Sequence, residues 1–221
     1  MNTEPREGVD GPAAAVEEIK QRLRQSCEET EARVCEYLER LYGRRFSVCS
    51  MISDPGIGRV KLTVRAEDEP VVRFTVEMDG EESIHDTYVC TLCLNELTQS
   101  IERALPGTAA NAALLQDHVK ETDVSLSMAA YLRKYNVRRI LTRLIVEEAN
   151  ALERTAVEEV FSNASRELDA DIAVYVYTLG HEDFQNCCQM FRDQPSVSEA
   201  MVGHYSPIMT YSFLVGNGAA R

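Results

Sequence analysis

The sequence predicts an α+β protein made of two small modules, and three observations carry that prediction. Ile19, Leu23, Cys27, Val34, Leu38 and Leu41 recur at helical spacing near the start of the chain. GRVKLTVRA (58–66) and VVRFTVEMD (71–79) alternate apolar and polar residues, as strands with one buried face do. From residue 124 onward helical stripes and β-rich stretches alternate in a different order.

The elements follow in turn. Residues 1–13 hold two glycines, two prolines and four charged residues, with little to bury, and read as a disordered tail. A helix then runs over 14–42, and Gly43 stops it where a left-handed cap is easiest. RFSVCSMIS (45–53) is the first and least regular strand. The turns at Asp54-Pro55-Gly56 and Glu67-Asp68-Glu69-Pro70 are short, so the three strands form an antiparallel meander. A helix over 85–105 ends before Pro106-Gly107. The first module, 14–105, is therefore α-β-β-β-α.

Residues 106–123 read as a junction, with room for a helical turn or two around Leu114, Leu115 and Val119. The second module, 124–221, mixes helices and strands. Helices are expected over 125–135, 153–168 and 182–192. Strands are expected at RRILTRLIVEE (138–148), DIAVYVYTL (171–179) and PIMTYSFLV (207–215), with a frayed NGAAR end. YLERLYGRRFSV (37–48) and YLRKYNVRRILT (131–142) share a Tyr-Leu, a second Tyr and an Arg-Arg pair before a strand, which hints at a duplication.

Composition excludes several function classes. The 221 residues are 44% hydrophobic and 27% charged, enough to bury a core without staples. Asp and Glu number 36 against 23 Lys and Arg, a net charge of −13. A nucleic-acid partner needs a basic surface to displace counterions, and an anionic membrane needs the same, so neither is expected. The first residues lack an apolar signal region, and no run of about 18 apolar residues occurs. With seven scattered cysteines, an odd count, the expectation is a cytoplasmic protein with free thiols.

HDTYVCTLCLNEL (85–97) is the stretch closest to chemistry. Cys90-x-x-Cys93 with His85 supplies three candidate metal ligands, and a Cys-x-x-Cys at a helix start can be a redox pair. On a helix, however, Cys90, Cys93, Leu94, Leu97, Ile101 and Leu105 form one apolar stripe, and free cysteine packs as a small hydrophobe. The core reading is preferred, with Cys90, Cys93 and His85 kept as metal candidates. Glu147-Glu148 and His181-Glu182-Asp183 follow strands, where sites in α/β sheets gather, but such acids also suit a strand end and a helix first turn. Asn163-Ala164-Ser165 falls within a helix. Phosphate-loop, dinucleotide, zinc-protease and nucleophile-elbow motifs do not occur.

Tyr37, Leu38, Tyr42, Gly43 and Phe46, followed by strands and by Asp86 and Tyr88 at the next helix, resemble a pattern in uncharacterised Gram-positive bacterial proteins. There a helix ends Tyr-Leu-x-x-x-Tyr-Gly-x-x-Phe and a later Asp-x-Tyr opens the next. The resemblance spans about the first hundred residues and implies structural roles for these positions; members are often exported or lipid-anchored, and no activity comes with it.

These readings favour a non-catalytic protein-interaction or ligand-binding role, with no cofactor and a possible protein partner. One alternative is a small metal- or thiol-dependent enzyme using the Cys90-x-x-Cys93 segment. Another is an acidic inhibitor or immunity-type protein whose charge meets a basic partner.

Overall fold

The structure, a computed structural model, describes residues 11–54, 58–69, 72–80, 83–114, 121–150, 152–194 and 197–216. Helix α1 (Gly11–Tyr42) leads into strands β1 (Phe46–Asp54), β2 (Arg59–Ala66), β3 (Arg73–Asp79) and β4 (Ser83–Asp86). These form an antiparallel sheet in the order β1-β2-β3-β4. Helix α2 (Tyr88–Ala104) connects it to a second sheet. That sheet comprises β5 (Thr108–Leu114), β6 (Arg139–Glu147), β7 (Asp171–Leu179) and β8 (Met209–Val215), in the order β5-β6-β7-β8. Among the described strands only β6 and β7 pair in parallel. Helices α3 (Met128–Tyr135), α4 (Arg154–Leu168), α5 (His181–Asp193) and α6 (Glu199–Gly203) complete the fold.

The α+β class and the opening helix and antiparallel meander are as the sequence predicts. Four details differ. The predicted stripe on α1 is buried only at its end, at Val34 and Leu38, while Val16, Ile19 and Leu23 are exposed. At about 1.5 Å per residue this 32-residue helix is roughly 48 Å long, and it overshoots the roughly 30 Å of β1 on which it packs. Second, α2 begins at Tyr88 and not at His85. Thr87 still pairs with the sheet, its N–H reaching the Thr75 carbonyl at 3.0 Å, so 83–86 form a fourth strand. Third, the expected junction contributes strand β5, hydrogen-bonded along β6. Fourth, α6 adds a single capped turn at Ser198. The expected tail lies outside the described residues, apart from the backbone of 11–13 within α1. So do Pro55-Gly56, Pro70, Leu115, Val119 and NGAAR.

The two sheets are covered differently. In the first, Leu62, Val64, Phe74 and Val76 point inward against Val34, Leu38 and Tyr88, and Lys61, Thr63 and Arg65 form the other face. The second sheet is covered on both faces. Ile140, Leu144, Ile172, Val174 and Val176 pack against α2, α3 and α4, including Phe161, which is fully buried. Ile145, Tyr177 and Leu179 pack against Phe184, Cys187 and Phe191 of α5. Each large apolar side chain so buried contributes about 1.5–3 kcal/mol. Helix α2 serves both sheets: Tyr88 and Leu92 face the first core, while Val89, Cys93, Leu97 and Ile101 face the second.

Candidate functional site

The residues of HDTYVCTLCLNEL are separated by the fold. His85 is exposed on β4, opposite Glu77, with Ser83 Oγ 2.9 Å from its Nε2. Cys90 and Cys93 lie on α2 in the second core, and Cys93 Sγ donates to the Leu126 carbonyl at 3.4 Å. Burial pushes the Cys90 thiol up to about 11 and that of Cys93 to about 12. Both are protonated at neutral pH. Among the described residues no group of three metal-ligating side chains comes together.

Three residues of the helix-end pattern, Tyr42, Phe46 and Tyr88, do come together. Tyr42, Phe46, Phe74 and Tyr88 form an aromatic knot, with ring centroids 4.8 to 6.1 Å apart. The Tyr42 hydroxyl donates to Asp86 Oδ1 at 2.8 Å, and the same oxygen accepts from Tyr88 N at 3.1 Å, where α2 begins. Gly43 takes φ 66°, the left-handed turn that releases the chain from α1 into β1. Asp86 and Tyr88 thus hold the joint between helix and sheet. Nearby, Glu121 accepts from Lys134 Nζ at 2.5 Å, Tyr135 Oη at 2.6 Å, and the N–H groups of Thr122 and Asp123. Desolvation pushes its carboxyl up, but these donors outweigh that and hold it at about 2.

The one cleft described lies elsewhere, between α2 and α5, over β5. Its volume is about 430 Å³, within the range of small-ligand sites. Helix α2 lines it with Thr91, Leu94, Asn95, Thr98, Gln99 and Glu102; α5 lines it with Phe184, Gln185, Cys188, Phe191 and Arg192. Its floor is Thr108–Ala112, and Val72, Arg73 and Gln194 also line it. The floor is the outer edge of the second sheet. The Ala110 N–H turns away from β6 and donates to Glu102 Oε1 at 2.8 Å. By the strand's two-residue alternation, the Ala110 carbonyl and both main-chain groups of Ala112 also face outward. No described group bonds them. The floor's side chains are small, so two helices approach the edge without closing over it.

Asn111 sits in this floor, 8% exposed, and its Oδ1 has no hydrogen-bond partner. Its cross-strand neighbour Arg143 is 9% exposed, with an unpartnered Nε, and the Tyr177 hydroxyl is buried and unpartnered on the same sheet face. Burial pushes the Tyr177 phenol up. Buried polar atoms are normally bonded, since an unmade bond costs about 1–3 kcal/mol. Cys188 is also raised, to about 11, by burial against the opposing charge of Arg192, with Glu102 and Glu147 adding to the rise. Of those two carboxylates, Glu102 lines the cleft.

Glu147 and His181, noted separately in the sequence, meet in the structure: His181 Nδ1 lies 2.5 Å from Glu147 Oε1. They stand at the carboxyl ends of the parallel pair β6 and β7. There the chain leaves β6 for α4 on one face and leaves β7 for α5 on the other, the kind of switch point where α/β sheets place ligands. The cleft residues, spread from 72 to 194, were missed in the sequence. The signal available was the run Ala109-Ala110-Asn111-Ala112-Ala113, one carboxamide framed by four methyl side chains.

No family model matches the chain, and no curated protein does. Among solved structures, a DUF5037 family protein from Ruminococcus gnavus ATCC 29149 is similar in fold, with a TM-score of 0.66 at 14% identity. The match covers 86% of this chain and 92% of that one. At that identity the likeness concerns architecture alone. No described helix is long and apolar enough to cross a membrane.

Proposed function

We propose that the chain is a non-catalytic, cytoplasmic binding protein that seats its ligand in the cleft between α2, β5 and α5. The observation that carries this reading is Asn111 Oδ1, buried and unpartnered in the floor of a cleft of about 430 Å³. A ligand donor there would supply the missing hydrogen bond. The outward main-chain groups of Ala110 and Ala112 add further bonding positions. The protonated thiol of Cys188 supports a binding role over nucleophilic catalysis, because the thiolate is the reactive form. Free cysteines throughout the described chain suit a reducing compartment.

The test is amide-shift mapping of the ¹⁵N-labelled full chain against a panel of short peptides, sugars and amino acids. Saturable shifts are expected at Thr108–Ala112 and along the facing sides of α2 and α5. Asn111→Leu is expected to weaken the same binding at least tenfold. Saturable binding confined to another surface, or binding that Asn111→Leu leaves intact, overturns the assignment.

A further inference from the structure

The cleft's hydrogen-bonding edge and its two charged ends select among ligand classes. Strand β5 presents a main-chain acceptor at Ala110 and a donor and acceptor at Ala112, the groups that an added strand would use. Residues 108 to 112 span roughly 13 Å, the length of about four extended residues. The ends differ in charge. Near Thr108, Glu102 gives Oε1 to the Ala110 N–H while its Oε2 meets no described donor. Toward the other end, Arg192 makes no ion pair with any described residue, and Arg73 is bound to Asp193 at 2.7 Å. Helix α5 starts at the Glu147 end and carries Arg192 in its last turn, so the cation lies downstream along β5.

Resting on the binding role proposed above, we infer that the ligand is a short zwitterionic peptide of about four residues, added as a parallel strand to the open edge of β5. Its ammonium group meets Glu102 and its terminal carboxylate meets Arg192. Its backbone bonds the Ala110 carbonyl and the Ala112 N–H. The Asn111 carboxamide, on the α5 side, takes a donor from the peptide.

The experiment titrates the ¹⁵N-labelled full chain with tetraalanine, N-acetyl-tetraalanine, tetraalanine amide and a neutral disaccharide. Tetraalanine is expected to shift the 108–112 amides saturably. Acetylation and amidation should each weaken it tenfold or more. In Glu102→Gln, which keeps an acceptor for Ala110, free and acetylated peptides should bind alike. In Arg192→Gln, free and amidated peptides should bind alike. Ala112→Pro removes an outward N–H without touching the ladder to β6, and should weaken all three peptides. Capped peptides binding as tightly as free ones overturn the charge-reading of the ends. Disaccharide shifts at 108–112 with no peptide response overturn the peptide class and leave the cleft assignment standing. Failure of every probe to shift these amides overturns both.

Discussion

Two polar clusters, each built on a buried side chain, sit in one chain, and their bonding differs. Around Glu121 every donor has its acceptor: Lys134, Tyr135 and two backbone N–H groups converge on one carboxylate. The Tyr42 hydroxyl ties that loop to the first sheet through Asp86 and the Glu121 carbonyl, 2.8 and 3.1 Å away. Around Asn111 three polar atoms are buried with none bonded. A satisfied network specifies a joint in the fold. On the binding role proposed above, an unsatisfied one next to a cleft is where a ligand completes the bonding.

Mutation sharpens the contrast, starting where the effect is greatest. Tyr88→Ala empties the aromatic knot at a fully buried position and is expected to destabilise by about 3–5 kcal/mol in urea unfolding. Glu121→Leu removes the buried carboxylate on which four donors converge and is expected to cost about 1–2 kcal/mol by the same measurement, since Lys134, Thr122 and Asp123 are exposed and can turn to water. Acid unfolding reads the same carboxylate. Its folded pKa of about 2 lies below the ordinary 4.5, so its stabilisation is complete above pH 4.5 and is lost as pH falls towards 2. Glu121→Gln should therefore flatten stability against pH across that window; an unchanged slope would remove Glu121 from the joint.

Tyr42→Phe deletes one hydroxyl and is expected to cost about 1 kcal/mol in thermal or urea unfolding. The smallest effect is the most discriminating. Asn111→Leu should leave stability within about 0.5 kcal/mol of the parent, or raise it, because it removes an orphaned polar group. A loss above 1 kcal/mol would move Asn111 into the satisfied class and dissolve the comparison.

Much of the fold was legible and the cleft was not, for identifiable reasons. Strands β2 and β3 announce themselves because Val60, Leu62 and Val64, like Phe74, Val76 and Met78, alternate with polar residues over a one-faced sheet. Strand β7 does so through β-branched and aromatic residues. SIHD, the fourth strand, is only four residues long, and its Ser, His and Asp look like a helix opening. TAANAAL resembles a linker because alanine carries no strand signature. Its identity follows from a tertiary requirement: small side chains let α2 and α5 stand on either side of the sheet edge. Of the sequence's candidates, Glu147 and His181 meet, while His85 and the Cys90–Cys93 pair part company because a strand ends at Asp86 before the helix begins.

Helix α2 offers Tyr88 and Leu92 to one core and Val89, Cys93, Leu97 and Ile101 to the other. A chain cut after residue 105 would carry that second stripe bare into water, and a chain starting at 106 would lack the wall its sheet leans on. The two sheets are therefore not separable cassettes. A single cooperative unfolding transition is expected, and a ligand seated against α2 should stabilise both sheets.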